Sequence, residues 1–562
     1  EFIKNRSILR FDNFNQYSIS SCINFLEKLK LLTTEYKSNP TTYQYDYFFY
    51  FTNFILDYIK NGYQNEDKQW KGTNQLHFFQ NYFLDFCINN QPNTNSINPF
   101  KAIDFIYNQD AIKPQYIDLE FNTINTLREL SNFINNFKQE DLKDFYKKQD
   151  KNRALSLYIH LPFCRSACYF CGCNTIFTSK EDKKTRYIEY LKKELNILKN
   201  HLDTSRVVTQ MHFGGGTPTY FSPQQLEDVI KSIKTIFPNF SSDAEISCEV
   251  DPRYFTKEHM DVLKAGGFNR LSFGVQDLDE TVQKTIHRIQ PFELTLNVIN
   301  IARDAGIKSI NTDLIYGLPH QTKESFKKTL EKMLTLNVDR FAVFNYAHVP
   351  WLMKTMRKFD ETTFPTPNIK LEMLKDTIDF FTSNGYEMVG MDHFAKPEDE
   401  LFKAIKKGEL HRNFQGYTTK GGADLIGIGV TSIGNGVDYY AQNFKDLNEW
   451  EEAIDNGNLP VFKGYRLSDD DILRQYVIME LMSNFSLNIK KVEEEFKIDF
   501  KDYFSDALES LKEFEDAELL KIYDDRIEVS QTGTMLIRNI CMPFDAYLNK
   551  IPEDKRRFSK TI

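Results

Sequence analysis

The sequence lacks any run of 18 apolar residues that could cross a bilayer as a helix. It also lacks an excess of basic charge, because 70 Lys and Arg stand against 79 Asp and Glu, giving a net charge of −9. Binders of nucleic acid or anionic membranes need a basic face, so this balance argues against both classes. Tryptophan is scarce, with 3 residues against 48 Phe and 29 Tyr. No secretory signal peptide is visible at Glu1, and we expect a cytoplasmic protein.

The N-terminal part of the chain shows no pattern that indicates chemistry. Residues 1–110 are rich in Asn, Phe, Tyr and Ile, and we expect a helical or poorly ordered extension. Residues 111–153 have helical spacing towards their end and are predicted to form an arm that leads into the next domain. The length of 562 residues leaves room for two further domains, which we place at 154–440 and 441–562.

From residue 156 onwards, short β-rich runs alternate with amphipathic helices. The helix predicted at 223–237 begins with Ser222 as N-cap, Pro223 at the first helical position and Gln225 completing a capping box. Six or more βα units in series predict an α/β fold whose parallel sheet closes, or nearly closes, into a barrel. The predicted strands are 156–160, 210–213, 245–250, 270–275, 309–315 and 340–345, with a seventh candidate at 387–391.

The last part of the chain changes to a mainly helical pattern. We predict helices at 469–485, 488–496 and 504–516, followed by a β-hairpin over 522–529 that turns at Asp524 and Asp525. This order is similar to a small winged-helix domain. The acidic surroundings favour a packing module over a DNA-binding one.

Four of the eight cysteines lie within ten residues: Cys164, Cys168, Cys171 and Cys173. The spacing C-x3-C-x2-C-x-C predicts a site. A disulfide pair is disfavoured in a reducing compartment. A structural zinc site usually joins two separated cysteine pairs. Closely spaced thiolates on one loop favour an iron–sulfur cluster, and zinc stays the alternative.

Polar motifs follow the predicted strands at the ends where βα barrels carry their active sites. The second strand ends in HFGGGTPTY, whose glycines let the backbone approach a ligand closely. Acidic or amide side chains follow the next strands, and together they predict a polar ligand site. These residues are Glu249, Asp251, Gln276, Asp277 and Asp313, with Arg288 as a cation that can meet a ligand carboxylate.

The cysteine spacing after the first strand resembles the C-x3-C-x2-C signature of the radical S-adenosylmethionine (SAM) enzymes. The loop YIHLPFC…CYFCGCN, followed in order by HFGGGTPTY, EVDPR, GFNRLSFGVQD, TDLIYGLPHQT, HRNFQGYTT and LIRNICMPFDAYL, resembles the oxygen-independent coproporphyrinogen III oxidases. The likeness covers about residues 154–562. It implies a radical SAM partial (β/α)6-type barrel with a helical N-terminal extension and a mainly helical C-terminal domain.

The resemblance also implies the site residues. Cys164, Cys168 and Cys171 would bind a [4Fe–4S] cluster, and Cys173, which is not a ligand, would act in catalysis together with Tyr158. Two SAM molecules are implied. The first would contact Tyr158, Gly215, Glu249 and Ile433. The second would contact Phe170, Gly216, Thr217, Gln276, Arg288, Asp313 and Ala347, with Gln415 as an additional contact.

The implied reaction converts two propionate side chains of coproporphyrinogen III to vinyl groups, giving protoporphyrinogen IX in haem biosynthesis. A 5′-deoxyadenosyl radical would remove hydrogen from each propionate, and carbon dioxide would leave. Reduced flavodoxin or ferredoxin is expected as electron donor, and a monomer is expected. Arg412 and His411 are candidates to meet the carboxylates of the substrate.

Three other functions are open. A related haem chaperone normally has Phe where Cys173 stands and lacks HRNFQGYTT, so both features favour the oxidase. A radical enzyme with another substrate, such as a methyltransferase of the same barrel class, is opposed by the near-continuous likeness. An inactive homologue with a zinc site or an empty site is the third alternative.

Overall fold

The computed structural model of the chain describes residues 137–413 and 415–548. The predicted extension, residues 1–110, lies outside the described residues, as does most of the predicted arm, 111–153. The described end of the arm holds the helix Gln139–Lys148, which agrees with the helical spacing there. This helix buries Leu142, Phe145 and Tyr146.

The strands are numbered in chain order. They are β1 (Leu155–Leu161), β2 (Phe163–Cys164), β3 (Ile176–Phe177), β4 (Val208–Gly215), β5 (Phe240–Val250), β6 (Arg270–Gln276), β7 (Ser309–Tyr316), β8 (Arg340–Asn345), β9 (Glu387–Val389), β10 (His393–Ala395), β11 (His411–Asn413), β12 (Gly416–Thr418), β13 (Asp424–Ile428), β14 (Ile433–Asn435), β15 (Tyr439–Asn443), β16 (Val461–Arg466), β17 (Ser486–Asn488), β18 (Leu520–Ile522) and β19 (Arg526–Val529).

The helices are numbered in the same way. They are α1 (Gln139–Lys148), α2 (Glu181–Lys199), α3 (Pro223–Ile236), α4 (Lys257–Ala265), α5 (Glu280–Thr285), α6 (Phe292–Asp304), α7 (Lys323–Leu334), α8 (Pro367–Ser383), α9 (Glu400–Lys407), α10 (Leu447–Asp455), α11 (Asp469–Asn484), α12 (Ile489–Phe496), α13 (Phe500–Tyr503), α14 (Ser505–Asp516) and α15 (Ile537–Cys541). Within the described ranges, none of them has the length and apolar character needed to cross a bilayer.

One large sheet organises most of the described chain. Its hydrogen-bonded order is β16-β15-β14-β13-β1-β4-β5-β6-β7-β8-β10-β9. The strands β1 and β4 to β8 follow one another in parallel, and a helix crosses between each strand and the next. The predicted partial (β/α)6 barrel is therefore confirmed. Because the order has two ends, the sheet does not close on itself.

The sequence accounts for these elements locally. Strand β1 is buried at six of its seven positions, as expected for a strand covered on both faces. The Ser222 side chain accepts a hydrogen bond from the backbone N–H of Gln225, and the predicted capping box of α3 is present. The helix α3 then buries Leu226, Val229, Ile230, Ile233 and Ile236 against the sheet.

Two features of the sheet differ from the prediction. The seventh candidate strand, 387–391, ends at Val389 and pairs antiparallel with β10, so it does not add another parallel strand. The sequence analysis missed β13, which pairs in parallel with the other side of β1. The sheet then continues through β15 and β16 to Arg466, beyond the predicted boundary at 440.

A buried ion cluster lies where β1 and β13 begin. Asp424 is fully buried and accepts hydrogen bonds from Arg206 Nη2 at 2.5 Å and from Arg153 Nε at 2.9 Å. The Arg206 side chain is itself 2% exposed and donates further to the carbonyl oxygen of Arg153. This end of the sheet is opposite to the strand ends that carry barrel active sites, so we assign the cluster to stability.

The C-terminal part has the predicted helices, ending within one residue of their predicted ends, and the predicted hairpin, formed by β18 and β19. A third strand, β17, pairs with β19 on its other side. The helices α11, α12 and α14 pack on this small sheet through a separate core that includes Leu481, Val492 and Leu511. This arrangement of helices and a three-stranded antiparallel sheet agrees with the predicted winged-helix-like order.

Candidate active site

The cysteine loop begins directly after β1 and is closed at its base. Strands β2 and β3 pair in parallel, so Cys164 lies opposite Phe177. The backbone N–H of Ile176 donates to the carbonyl oxygen of Pro162 at 2.8 Å. Phe163 is fully buried and contacts the rings of Tyr187 and Phe221, with centroids 5.5 and 5.7 Å away. The loop is therefore anchored to the barrel core at both ends.

The thiols of this loop are free of disulfides, and each has a polar neighbour. Cys164 Sγ lies 3.2 Å from Thr217 Oγ1, next to the glycine motif. Cys171 Sγ accepts a hydrogen bond from the backbone N–H of Cys173 at 3.4 Å. The Cys173 thiol also hydrogen-bonds to the Cys171 sulfur, which lowers the pKa of Cys171 and raises the pKa of Cys173. The sulfurs of Cys171 and Cys173 are therefore neighbours that share a hydrogen bond.

The predicted residues are brought together around one cavity of about 570 Å³. All four cysteines of the loop line it, together with residues from the ends of four parallel strands. The predicted site residues that line this cavity are Cys164, Cys168, Phe170, Cys171, Cys173, Gly215, Gly216, Thr217, Glu249, Gln276, Arg288 and Asp313.

The glycine motif runs close to the base of the cysteine loop. The backbone N–H of Gly216 donates to the carbonyl oxygen of Leu161 at 2.9 Å, and that of Thr217 donates to Phe163 at 3.1 Å. A Cβ on Gly216 would lie 2.4 Å from the carbonyl oxygen of Pro162, so only glycine fits there. The backbone N–H of Gly215 points at the Glu249 carboxylate, 3.3 Å from Oε2.

Tyr158 lies beside this cavity without lining it. Its hydroxyl donates to His160 Nδ1 at 3.0 Å, because His160 Nε2 donates to the carbonyl oxygen of Asn174 at 3.1 Å. Its ring stacks on His212, with centroids 5.9 Å apart, and His212 Nε2 lies 3.3 Å from Glu249 Oε1. Burial raises the pKa of Tyr158, so the hydroxyl keeps its proton.

Ile433 and Ala347 also stand outside the cavity lining. Ile433 follows the turn after β13, and its backbone lies against Gly427, the residue paired with Tyr158 on β1. It is therefore near Tyr158. Ala347 is exposed and lies two residues beyond β8. The structure does not bring Ala347 to the lining of this cavity.

Two arginines and one aspartate support the loop from the third and fourth strands. Asp251 accepts hydrogen bonds from Arg253 Nη2 at 2.7 Å and from Arg288 Nη1 at 3.0 Å. Burial acts to raise the pKa of Asp251, but Arg288 and Arg253 outweigh it and hold the pKa below its ordinary value. The same guanidiniums reach Cys168 Sγ, Arg253 at 3.6 Å and Arg288 at 3.8 Å. Sequence reasoning missed Arg253, although it stands in the EVDPR motif.

The fourth and fifth strands supply Gln276 and Asp313. Gln276 has φ 72°, the left-handed region that is costly for a residue with a side chain, at an irregularity in the β6–β7 register. Asp313 accepts hydrogen bonds from Ser272 Oγ at 3.1 Å and from Asn311 Nδ2 at 2.7 Å. Burial, and then repulsion from Glu249, raise the pKa of Asp313 to about 6.

Comparison with known proteins identifies the family. Residues 158–333 match the Radical SAM superfamily, and residues 467–536 match the HemN C-terminal domain. A protein named oxygen-independent coproporphyrinogen III oxidase from Helicobacter pylori strain J99 is 59% identical over 433 residues, covering 76% of this chain and 94% of that protein. The chain belongs to the oxygen-independent coproporphyrinogen III oxidase family. It is thus a member of a family of radical SAM oxidoreductases.

Two further relatives of this family come from Escherichia coli. The protein of the same name from strain K12 is 45% identical over 410 residues, which cover 73% of this chain and 89% of that protein. A solved structure described as coproporphyrinogen III oxidase (HemN), a radical SAM enzyme, has a TM-score of 0.72 and 44% identity. It covers 74% of this chain and 95% of that chain. The likeness therefore includes the barrel and the C-terminal domain.

The residues present fit the cofactors of the superfamily, a [4Fe–4S] cluster and SAM. Three thiols without disulfides stand on one loop at one cavity, with arginine donors beside Cys168. In the part of the chain that the structure describes, no three Cys, His, Asp or Glu side chains converge on a position for a single metal ion. Thiolates around a cubane each bind a different iron, so ligands of a cluster need not converge on one point.

Proposed function

We propose that the chain catalyses the oxygen-independent oxidative decarboxylation of two propionate side chains of coproporphyrinogen III, giving protoporphyrinogen IX. The observation that carries this proposal is the cavity in which the cysteine loop meets the glycine motif and the strand-end carboxylates, in a chain of this family. Each propionate loses carbon dioxide, one hydrogen atom and one electron, so that a vinyl group remains. The electron passes to an external electron acceptor.

The bound cofactors supply a low-potential electron and the 5′-deoxyadenosyl radical chemistry that removes hydrogen from the propionate. Cys164, Cys168 and Cys171 are proposed to hold the cluster. Cys173 is proposed to act as a donor near the substrate and not as a fourth ligand, and it lines the same cavity as the three proposed ligands. The N–H donors of Arg253 and Arg288 stabilise negative charge on the Cys168 sulfur.

We propose two SAM positions. For the first, the contacts are Tyr158, Gly215, Glu249 and Ile433. The hydrogen bond from Tyr158 to His160 fixes the Tyr158 ring at the edge of the cavity, where it can position the first SAM molecule. For the second, the contacts are Phe170, Gly216, Thr217, Gln276, Arg288, Asp313 and Ala347, with Gln415 in addition.

Different observations support the polar contacts of the second position. The buried Nε of Arg288 makes no hydrogen bond within the described ranges and is left for a ligand oxygen. The Asp313 carboxylate lines the cavity and is held by hydrogen bonds from Ser272 and Asn311. Such a carboxylate can accept hydrogen bonds from ribose hydroxyls or from an amino group.

The remaining expectations also stay proposals. A cytoplasmic location suits a chain with free thiols in its described part. Flavodoxin or ferredoxin is proposed as electron donor, and a monomer as the working form. The domain division into 1–110, 111–153, 154–440 and 441–562 stays a prediction; β15 of the main sheet crosses residue 440, and β16 lies beyond it.

The test is anaerobic reconstitution with iron and sulfide, followed by incubation with coproporphyrinogen III, SAM and a low-potential reductant. We expect two successive losses of a carboxyl group, through a tripropionate intermediate, with 5′-deoxyadenosine formed in step. Omission of SAM and a Cys171→Ala variant are the controls, and neither should turn over. Unchanged porphyrinogen together with continued 5′-deoxyadenosine formation would assign the enzyme to a different substrate. Tight haem binding without turnover would favour the chaperone.

A further inference from the structure

A second polar cluster lies on the same face of the sheet as the cavity. Asp313, which lines the cavity, is paired with Ala342 on β8, and Ala342 is paired with His393 on β10. Residues paired across neighbouring strands project to the same face of a sheet, so His393 stands two strands from Asp313 on the face towards the cavity. The charge of His393 acts on the pKa of Asp313, which agrees with this placement.

Three separate segments converge beside His393. The residue before it, Asp392, contacts His393 Nδ1 at 2.5 Å. Arg412 comes from β11, and its guanidinium lies over the ring of Tyr417, 5.7 Å from the centroid. Arg538 comes from α15, and its Nε donates to the sulfur of Met391 at 3.4 Å. The strand pair, the β11–β12 hairpin and the C-terminal helix therefore meet at residues 391 and 392.

The charges of this cluster do not balance. Burial acts to raise the pKa of Asp392, but His393, Arg412 and Arg538 outweigh it and hold the pKa below its ordinary value. One carboxylate thus faces two guanidiniums and an imidazole. In the described ranges, neither Arg412 nor Arg538 forms an ion pair with a carboxylate oxygen. The cluster keeps an unmatched positive charge in a protein whose net charge is −9.

A hydrogen-bond donor without a partner in the described ranges also indicates an anionic ligand. Arg412 Nε is buried and has no hydrogen-bond partner among the described residues. Gln415 Nε2, on the same hairpin, also has no partner among the described residues, but that donor is assigned to the second SAM position and not to this cluster. Buried donors normally find an acceptor, and a carboxylate offers two oxygens for charge-assisted hydrogen bonds. The structure does not place His411 in this cluster: it is exposed, and its charge acts on Glu480 instead.

Two aromatic rings lie beside this positively charged cluster. Phe344, on β8, is 37% exposed and lies edge-on to His393, with centroids 6.0 Å apart. Tyr417 also meets His393 edge-on, at 5.2 Å. An inorganic anion would gain nothing from these rings. A ligand with a large apolar ring system and peripheral carboxylates would use both the rings and the guanidiniums.

We propose that Arg412 and Arg538, held in place around Asp392, bind a propionate carboxylate of the tetrapyrrole substrate. Asp392 and His393 act as positioning residues for this site. The assignment rests on the proposed function, because that function supplies a substrate with four carboxylates. It adds a recognition site on the β8–β10 side of the barrel, away from the cysteine loop in sheet order.

The test measures equilibrium binding of coproporphyrin III, the stable oxidised form, to reconstituted enzyme by fluorescence. The variants are Arg412→Gln, Arg538→Gln and the double variant, with Arg412→Lys as the conservative substitution. Arg526→Gln is the matched control, since Arg526 is a partly exposed arginine on β19 that pairs with Asp525 and Glu528. The tetramethyl ester of coproporphyrin III, which has no carboxylate, is the matched ligand. Iron content and SAM affinity are measured in every protein.

We expect each Arg→Gln change to raise the Kd for coproporphyrin III by about tenfold to a hundredfold, the loss of one charge-assisted contact. Arg412→Lys should recover part of the affinity, and Arg526→Gln should leave it unchanged. Affinity for the tetramethyl ester, iron content and SAM affinity should stay at wild-type values in all variants.

Three outcomes would overturn the inference. The first is a Kd for coproporphyrin III within twofold of wild type in the double variant. The others are an equally weakened binding of the tetramethyl ester and a loss of iron in the variants, and either of these would assign a structural role to the arginines. The proposed function fails separately, if wild-type enzyme with a full cluster leaves coproporphyrinogen III unchanged. If the wild-type enzyme converts coproporphyrinogen III and the double variant binds coproporphyrin III normally, only this inference is overturned.

Discussion

The contact between Gly216 and the base of the cysteine loop gives the sharpest prediction. In a Gly216→Ala variant the new Cβ would stand 2.4 Å from the carbonyl oxygen of Pro162 and 2.6 Å from its carbonyl carbon. Real Cβ atoms essentially never approach closer than 3.0 Å, so the two backbones must separate by about 0.6 Å. Both partners are main chain, and no side-chain rotation can relieve the clash.

The displacement would act directly on the site. It stretches the hydrogen bonds from Gly216 to Leu161 and from Thr217 to Phe163, and it moves Cys164, whose sulfur lies 3.2 Å from Thr217 Oγ1. Overpacking of this kind costs about 1–3 kcal/mol. If the cost falls on the ligand-bound form, the affinity for SAM drops by about fivefold to 150-fold.

The assay is anaerobic calorimetric titration with SAM after reconstitution, together with iron and sulfide analysis. Gly172→Ala is the matched control, because Gly172 lies in the same loop, its added Cβ would meet nothing within 4 Å, and its φ is not positive. Gly172→Ala should therefore keep wild-type iron content and affinity. A Gly216→Ala protein with SAM affinity within twofold of wild type would refute the reasoning, since the backbone contact would then be free to relax.

Three more predictions test other parts of the molecule. A Cys173→Ser variant should keep its iron and lose turnover, because Cys164, Cys168 and Cys171 are the three proposed cluster ligands. Loss of iron in this variant would show that Cys173 is a ligand as well. Asp424→Asn should lower the free energy of unfolding by about 3–5 kcal/mol, because the charge of Arg206 then stays buried without its partner. Urea denaturation should show a lower midpoint, and an unchanged midpoint would contradict this account. Burial raises the pKa of Asp277 to about 6 from 3.8, so the folded state holds this proton more tightly than the unfolded chain. Its stabilising effect is complete below about pH 4 and is lost as the pH rises through about 6, at roughly 1.4 kcal/mol per pH unit. Asp277→Asn should remove this pH dependence of stability, which is measured as the urea midpoint between pH 4 and 7. An equal pH dependence in the wild type and the variant would contradict the raised pKa of Asp277.

The parallel part of the fold could be predicted because each βα unit is specified by residues that are close together in the sequence. Helix α3 illustrates this, since Ser222, Pro223 and Gln225 fix its start and five apolar residues fix its buried face within 15 residues of sequence. The cysteine loop is local in the same sense. Its position after β1 followed from the order of motifs, and the structure places its thiols at one cavity.

The parts that could not be predicted depend on contacts between distant residues. Strand β13 pairs with β1 across about 270 residues of chain, and its five residues include a glycine that weakens the strand pattern. Arg253 meets Cys168 across 85 residues, which only the folded barrel brings together. The cluster of Asp392, Arg412 and Arg538 joins three segments in the same way. Ala347 was assigned from the family motif; it is exposed two residues beyond β8 and stays a proposed contact.

The place of β1 between β4 and β13 has a consequence for how the protein is made. A growing chain releases β1 and β4 long before residues 424–428 leave the ribosome. Until then β1 has an open hydrogen-bonding edge, and Leu155, Leu157 and Ile159, which are fully buried in the finished fold, lack part of their cover. The cysteine loop leaves from this same strand. Chains that stop before residue 424 are therefore candidates for aggregation.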